Sequence, residues 1–339
     1  MKIISYHVEI LPYMNTFSLF RSVVFTVCIF SVIFVRIFTH NPILPPLRMH
    51  NFTVPEIQEM ARQLRRDVIK MLMISKSGHS GGPLGLADIF ASLYFKILNQ
   101  NPKNTKWEER DFFFLSAGHL APIWYASLAR AGFFPIAELS TLRKINGHLQ
   151  GHPAPATTHG AHGVEIASGA LGQGISIAAG SAIGLRLDKK TNHVFVLCGD
   201  GELNEGQIWE GVMTAAHHRL DNLTVIVDRN FCQIDDRTEN VMMLEPLAEK
   251  WLSFGFHVIE CDGNDVPDFL RAVDAAKQYK GKPSVILAKT FMGKGVSFME
   301  DDYRWHGVPP NEEQGKQALS ENAPTKYGDF ITFDWEKNK

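Results

Sequence analysis

The chain has 339 residues, 45% of them hydrophobic, with 34 Lys plus Arg against 36 Asp plus Glu and a formal charge of −2. That apolar content excludes a disordered chain, and the lack of a basic excess argues against a nucleic-acid partner. The cysteines Cys28, Cys198, Cys232 and Cys261 show no CxxC pair and no regular spacing, which excludes a disulfide scaffold and fits a reducing, cytoplasmic compartment.

Residues 1–48 stand apart, with Glu9 as the single acid and Lys2, Arg21, Arg36 and Arg48 as bases. Ser22 to Val35 forms a run of 14 uncharged residues, short of the about 20 that a spanning helix needs. Pro42, Pro45 and Pro46 then break the chain ahead of Met49. This apolar extension is read as the product of a mistaken upstream start, with Met49 the working initiator, or as a weak anchor lengthened by snorkelling of Arg21 or Arg36. No small-residue cleavage pattern follows it, which argues against a secretory signal. Membrane contact is expected only if the extension is real.

Residues 49–339 are read as one domain. Val54-Pro55-Glu56 opens a helix whose Ile57, Met60, Ala61, Leu64, Val68, Met71 and Leu72 recur at helical spacing. A glycine-rich turn follows, then a second helix over Leu86–Leu98. Asp111–Ser116 reads as a buried strand ending in Gly118-His119, and Pro122–Ala131 as a helix. Residues 145–174, rich in Gly, Pro and His, read as a long functional loop, and Ile175–Leu185 as a small-residue helix. Strands are then expected at His193–Cys198, Leu223–Asp228, His257–Cys261 and Ser284–Lys289. Helices are expected between them at Gln207–Arg219, Leu247–Phe254 and Val266–Tyr279. Repeated strand–helix–strand units imply an α/β fold, a parallel sheet flanked by helices, with ligands at the carboxyl ends of the strands.

Candidate site residues fall at those ends. Gly199-Asp200-Gly201 closes one strand, and Arg229-Asn230 closes the next, with 28 residues between Gly201 and Asn230. A carboxylate and an amide oxygen at neighbouring strand ends can each take one position around magnesium or calcium, and the carbonyl of Cys232 can add a third. Gly199 and Gly201 let the backbone approach phosphate oxygens, and the following helix offers its N-terminus to their charge. A Gly-Asp-Gly alone is most simply a turn; its partner on the next strand is what makes the clamp. Among the 14 histidines, His79, His119, His148 and His152 each follow a glycine. A lone Gly-His pair is most simply a loop or cap residue. His148 lies off the motifs and reads as structural. His152, His159 and His162 have no carboxylate or thiolate to complete a metal site.

With the motifs taken in order, the chain resembles the thiamine-diphosphate enzymes, and within them transketolase. Ser77-Gly78-His79-Ser80-Gly81-Gly82-Pro83-Leu84-Gly85 resembles its first glycine-rich loop, and Leu115-Ser116-Ala117-Gly118-His119 its second motif. Gly151-His152-Pro153 with Ser168-Gly169-Ala170-Leu171-Gly172-Gln173-Gly174 resembles a third pair, the Asp200/Asn230 clamp a fourth and Trp305-His306-Gly307 a fifth. The resemblance covers about residues 50–310. It implies a thiamine-diphosphate-binding fold. It further implies that His79 and His152 bond substrate hydroxyls and move protons, and that His119 donates to the cofactor diphosphate; His306 is a third catalytic candidate, and whether it takes the donor role of the histidine missing at Tyr303 stays open at this level. Gly169, Ala170 and Leu171 would contact the aminopyrimidine, and Glu205 would be an interface carboxylate linking two cofactor sites. Three departures stand out. Met292 and Val308 replace lysines of animal-type transketolases, so those cofactor contacts are missing. Tyr303 stands where bacterial-type enzymes have a histidine, and Asp236 where glycine is usual.

In that family a two-carbon ketol unit passes from a ketose phosphate to an aldose phosphate, and a glutamate on a separate pyrimidine-binding domain is required. That domain is not expected within the 339 residues. The expectation is the N-terminal subunit of a split transketolase, completed as a heterotetramer by a C-terminal chain that supplies the pyrimidine domain and its glutamate. The alternatives are a subunit of another thiamine-diphosphate enzyme, a 2-oxo acid dehydrogenase alpha chain or sugar-phosphate synthase, and an inactive tethered relative. Sugar preference and pathway, pentose phosphate or a dedicated biosynthesis, stay open at this level.

Overall fold

A computed structural model describes residues 51–337 of the chain. The apolar extension, Cys28 and the choice between Met1 and Met49 lie outside the described residues. No helix among the described residues is long and apolar enough to cross a membrane.

The first helix, α1 (Val54–Ser75), starts at Thr53, whose backbone N–H donates to Glu56 Oε2 at 2.9 Å, and closes where Lys76 turns left-handed with φ 51°. The glycine-rich turn is itself helical, as α2 (Gly81–Gly85). Pro83 is tolerated there because first-turn N–H groups have no intrahelical partner. The helix expected over Leu86–Leu98 is present to within a residue at each end: α3 (Ala87–Ser92) follows Leu86 and passes directly into a π turn at Leu93–Ile97. Then come β1 (Phe112–Leu115), α4 (Ala121–Ala131), α5 (Gly174–Leu187), β2 (Val194–Gly199), α6 (Gly206–His217) and β3 (Leu223–Arg229). The chain continues through α7 (Thr238–Val241), α8 (Leu247–Ser253), β4 (His257–Asp262), α9 (Val266–Gln278), β5 (Ser284–Lys289) and α10 (Glu312–Glu321). The expected strands and helices of the second half appear within a residue or two of their predicted ends. The stretch from Ile145 to α5 is irregular apart from a short turn at Ala156–Thr158 and a bridge between Pro155 and Ala161.

The five strands are all parallel, in the order β1-β2-β3-β5-β4. β2 and β3 are buried on both faces, which favours apolar runs such as residues 194–198, whereas β4 at the sheet edge exposes Glu260 and Asp262. In β2, Phe195 and Leu197 join the core beneath α1, α3, α4 and α9, while Val194, Val196 and Cys198 join the core beneath α5, α6 and α8. Cys198, Cys232 and Cys261 are free and buried. The register that matters for the site sets Gly199 opposite Asp228, so that the ends of β2 and β3 lie side by side.

The last described segment is tied to α1 by buried charge. Asp329 accepts from Arg66 Nη2 at 2.5 Å and pairs with Lys70 at 2.9 Å, and Lys70 also pairs with Glu336 at 2.7 Å. One turn away, Asp67 is held by Arg130 at 2.7 and 2.8 Å. Burial alone would raise the Asp329 pKa, but the Arg66 and Lys70 contacts outweigh it and hold the carboxyl well below the usual range. Asp329→Ala should therefore take the close carboxylate partner from buried Arg66 and leave Lys70 to Glu336 alone, at a cost of about 3 kcal/mol, read as a lower urea midpoint. Lys337→Ala, which breaks the exposed 2.8 Å pair with Asp334, should cost under about 0.5 kcal/mol.

Candidate active site

A cavity of about 520 Å³ opens at the carboxyl ends of β2 and β3. Its wall includes His79, His119, His152, Gly169, Leu171, Gly199, Asp200, Gly201, Glu205, Asn230, Cys232 and His306. All the residues singled out from the sequence for the site therefore converge, except Ala170, which is exposed and does not line the wall. The strand ends deliver the acid and amide; the loops after α1 and β1, the loop before α5 and the turn before α10 deliver the histidines.

The oxygen-rich corner is compact. Asp200 is buried, with Oδ1 accepting from Gly201 N at 2.8 Å and Oδ2 from Phe231 N at 2.7 Å and Arg229 Nη1 at 3.1 Å. Burial raises its pKa to about 6 against the pull of Arg229. Asn230 donates through Nδ2 to Asp228 Oδ2 at 2.8 Å and accepts from Cys232 N through Oδ1 at 2.9 Å. Asp228 also takes a short bond from Thr290 Oγ1, and burial pushes its pKa to about 7. The left-handed residue here is Phe231 (φ 61°), with the Arg229 guanidinium stacked 4.0 Å over its ring. Asp236, where glycine is usual, keeps an ordinary φ; its carbonyl accepts from Gln233 N at 2.8 Å.

Three imidazoles form a triangle in the same cavity. Ring centroids of His79 and His119 are 5.0 Å apart, of His119 and His306 5.1 Å, and of His79 and His306 5.7 Å. Burial, reinforced by the neighbouring rings, lowers His79 to about 4 and His119 to about 3; burial also lowers His306. All three are neutral at pH 7, each able to donate through one nitrogen and accept through the other. His306 occupies this wall while Tyr303 does not line the cavity. His152 packs under Gly169 (φ 145°), where an added Cβ would come within 3.1 Å of the ring. His148, His159 and His162 are exposed, and no group of three or more His, Cys, Asp or Glu side chains among the described residues could hold a metal.

Two buried carboxylates escaped the sequence reading. Glu202 accepts a short bond from Ser116 Oγ, one from Gly172 N at 2.7 Å and one from Gly199 N at 3.0 Å. It thus pins the end of β1, the loop before α5 and the end of β2 to one another. Asp228 sets the orientation of Asn230. The sequence signal was available in both cases: a carboxylate directly after Gly-Asp-Gly, and another closing an apolar strand. Either carboxylate, once buried, has to be fully bonded.

Whether the residues suit a thiamine diphosphate can be judged from the cavity itself. His79 Nδ1, His306 Nδ1 and Gln233 Nε2 are buried without a partner, and His79, Gln233 and His306 all line the wall. Gln233 packs against Gly201, where an added Cβ would come 2.7 Å from its side chain. Leu171, Ile234 and the buried Met292 supply apolar wall, and Asp200 with Asn230 supplies hard oxygen donors. Unpartnered ring and amide nitrogens, hard oxygen donors and an apolar wall match a diphosphate carrying heteroaromatic rings.

The family pattern described as "Transketolase, thiamine diphosphate binding domain" matches residues 56–328. The chain belongs to the transketolase family. It is 40% identical over 266 residues to the 6-deoxy-6-sulfo-D-fructose transketolase subunit SqwG of Clostridium sp. (strain MSTE9), covering 78% of this chain and 96% of that one. It is 38% identical over 273 residues to an apulose-4-phosphate transketolase subunit of Actinobacillus succinogenes, covering 80% and 98%. Against human transketolase it is 36% identical over 266 residues, but spans only 42% of that chain. The fold superposes on the crystal structure of Campylobacter jejuni transketolase with a TM-score of 0.77 and 32% identity, over 85% of this chain and 46% of that one. The chain thus spans less than half the length of these two transketolases.

The pKa directions set a pH signature. His79 and His119 titrate below their ordinary 6.5, so the unfolded chain binds more protons between pH 6.5 and about 4 or 3, and stability drops as pH falls through that window. Asp200 and Asp228, raised above 3.8, act in the opposite sense. Comparing the chain with His119→Gln isolates the first effect: moving from pH 7 to pH 5, the parent should lose up to about 2 kcal/mol relative to the variant in urea denaturation. Glu202→Gln, which puts an amide donor against backbone donors, should lower stability by about 2–4 kcal/mol and speed exchange of the Gly172 and Gly199 amides.

Proposed function

We propose that this chain is the cofactor-binding subunit of a two-chain transketolase that moves a two-carbon ketol unit from an anionic ketose to an aldose phosphate. The observation that carries the reading is the meeting, in one cavity, of an oxygen-donor corner on adjacent strand ends with a triangle of neutral histidines. Near-complete coverage of relatives named as single subunits supports a separate partner chain, which would bring the pyrimidine-binding domain and its glutamate and assemble as a heterotetramer. Those relatives are named for a sulfonated and a phosphorylated sugar, which supports an anionic ketose as donor. The free buried cysteines and near-neutral charge support a cytoplasmic setting for a domain spanning 49–339.

In this reading Asp200, Asn230 and the Cys232 carbonyl hold magnesium or calcium, because small hard cations take carboxylate, amide and carbonyl oxygens. Gly199, Gly201 and His119 receive the diphosphate, and Gly169 and Leu171 flank the pyrimidine. When bound, thiamine diphosphate supplies the electron sink needed to break a carbon–carbon bond beside a carbonyl. The protein's own contribution is proton handling: His79, His152 and His306 orient substrate hydroxyls and exchange protons with them. Neutral imidazoles suit that work, because protonated ones could only donate. Glu205, exposed at the cavity wall and at the start of α6, faces outward to meet the partner.

The purified chain alone should show no ketol transfer, and addition of the C-terminal subunit should restore it; full turnover by the lone chain would refute the two-chain reading. In calorimetry on the two-chain mixture, chelation should abolish cofactor binding. Asn230→Ala should weaken it by at least the about 10-fold that loss of a supporting contact costs. Binding indifferent to both changes would remove Asp200 and Asn230 from the metal role.

A further inference from the structure

The hydrogen bonds around Asp200 decide which of its oxygens can meet a cation. An ionised carboxylate offers about four lone-pair positions, two on each oxygen. Oδ2 accepts from Phe231 N at 2.7 Å and from Arg229 Nη1 at 3.1 Å, so both of its positions are taken. Oδ1 accepts from Gly201 N at 2.8 Å and, among the described residues, from no second donor. Asn230 is constrained in the same way: its Nδ2 is bonded to Asp228 Oδ2, and one position on its Oδ1 is taken by Cys232 N. Each of these two cavity-lining side chains therefore has one oxygen lone pair left for a cation.

Arg229 fills the second position on Oδ2, and its own surroundings lock it in place. Its side chain is only 5% exposed. Nη1 also donates to Thr238 Oγ1 at 2.8 Å, and Nη2 donates to Glu239 Oε1 at 3.0 Å and to Glu245 Oε1 at 2.7 Å. The guanidinium lies 4.0 Å over the ring of Phe231, the residue whose N–H shares Oδ2 with it. Glu239 and Glu245 are held in turn by the amides of Leu244 and Leu247, at 3.2 and 2.8 Å. A rigid fork reaches Asp200 from one nitrogen and both glutamates from the other, which a single ammonium cannot do. Its charge does not stand alone before a cation either, because three carboxylates surround the one guanidinium.

We propose that Arg229 is a positioning residue that caps Asp200 Oδ2, so that the carboxylate meets its cation through Oδ1 alone, and that this cap sets a preference for magnesium over calcium. The proposal rests on the reading above, in which Asp200, Asn230 and the Cys232 carbonyl hold the cation. Magnesium takes about six oxygens at about 2.0–2.1 Å in a near-octahedral shell. Calcium takes about six to eight at about 2.3–2.6 Å and readily accepts a carboxylate through both oxygens. A carboxylate held to one oxygen suits the smaller shell and withholds from calcium its extra ligand. The cap acts through Asp200, as contacts behind a metal ligand commonly do.

The test is calorimetric titration of the two-chain enzyme, stripped of cations by chelation and saturated with thiamine diphosphate, with magnesium and separately with calcium. The readout is the ratio of the calcium to the magnesium dissociation constant, which damage felt equally by both cations does not move. The parent should bind magnesium more tightly. Arg229→Met, which removes the cap, should lower the ratio by about 10-fold or more, the scale on which contacts behind a metal ligand act. Arg229→Lys keeps the buried charge beside Glu239 and Glu245, and so guards the test against a methionine variant that does not fold. It should lower the ratio in the same sense, because the fork is lost. Equal losses for both cations would mark Arg229 as merely structural, and a parental ratio in Arg229→Lys would assign the effect to charge. A parent that prefers calcium would remove the preference itself, and any of these outcomes overturns the proposal. Asp200→Asn separates the two layers. If it leaves both titrations at parental affinity, or if the parent takes up neither cation, the metal reading fails and the cap with it. If it weakens both while the Arg229 variants keep the parental ratio, the cap alone fails.

Discussion

The pairing of Gly199 with Asp228 across β2 and β3 is the constraint from which the cavity follows. It brings Asp200 within bonding distance of Arg229 and the Phe231 amide, and it puts Asn230 next to the carboxylate that orients it. Side chains alternate between sheet faces with a period of two, so a one-residue slip would turn every strand residue over. The slip is prevented because both faces of β2 and β3 are buried: Val194, Val196 and Cys198 belong to one core and Phe195 and Leu197 to the other. Hydrophobic packing over the whole length of the sheet thus fixes where a few polar atoms stand at its end.

Burial shapes the chemistry of those atoms in two directions. It disfavours charge on the histidines, which stay neutral, and on Asp200 and Asp228, which titrate upward. A cation between Asp200 and Asn230 would relieve the second effect, since a charged partner favours the ionised carboxylate. Glu202 carries the comparable burden for architecture, tying three loops through one carboxylate. Arg66, Lys70 and Asp329 do the same far from the cavity, anchoring the last described segment on the helix whose end leads into His79.

The motifs of the site were legible in the sequence because they fall at punctuation: a strand end, a glycine-rich turn, a loop between regular elements. His79, His119, His306, Asp200 and Asn230 all proved to line one cavity. Ala170 did not, because contiguity in a motif does not specify which side chains of a loop face inward. The helix expected over Leu86–Leu98 was legible in its bounds but not in its last turn, which is wound as π rather than α. Apolar spacing does not distinguish the two windings, because it records which side chains are buried and not which carbonyl each N–H meets.

By itself, then, the sequence determined the class of fold, the order of strands along the chain and the candidate residues for metal, phosphate and proton, because each leaves a local mark in residue type and spacing. Only the tertiary structure decided that β5 inserts between β3 and β4 and that three histidines from distant loops share one wall. It also decided that Glu202 and Asp228 are structural linchpins and that Arg229 reaches the Asp200 carboxylate. These depend on contacts between residues far apart in the chain. The free energy that selects them is the burial of two hydrophobic cores and the obligation of every buried polar group to find a partner, and neither can be evaluated until the whole chain has packed.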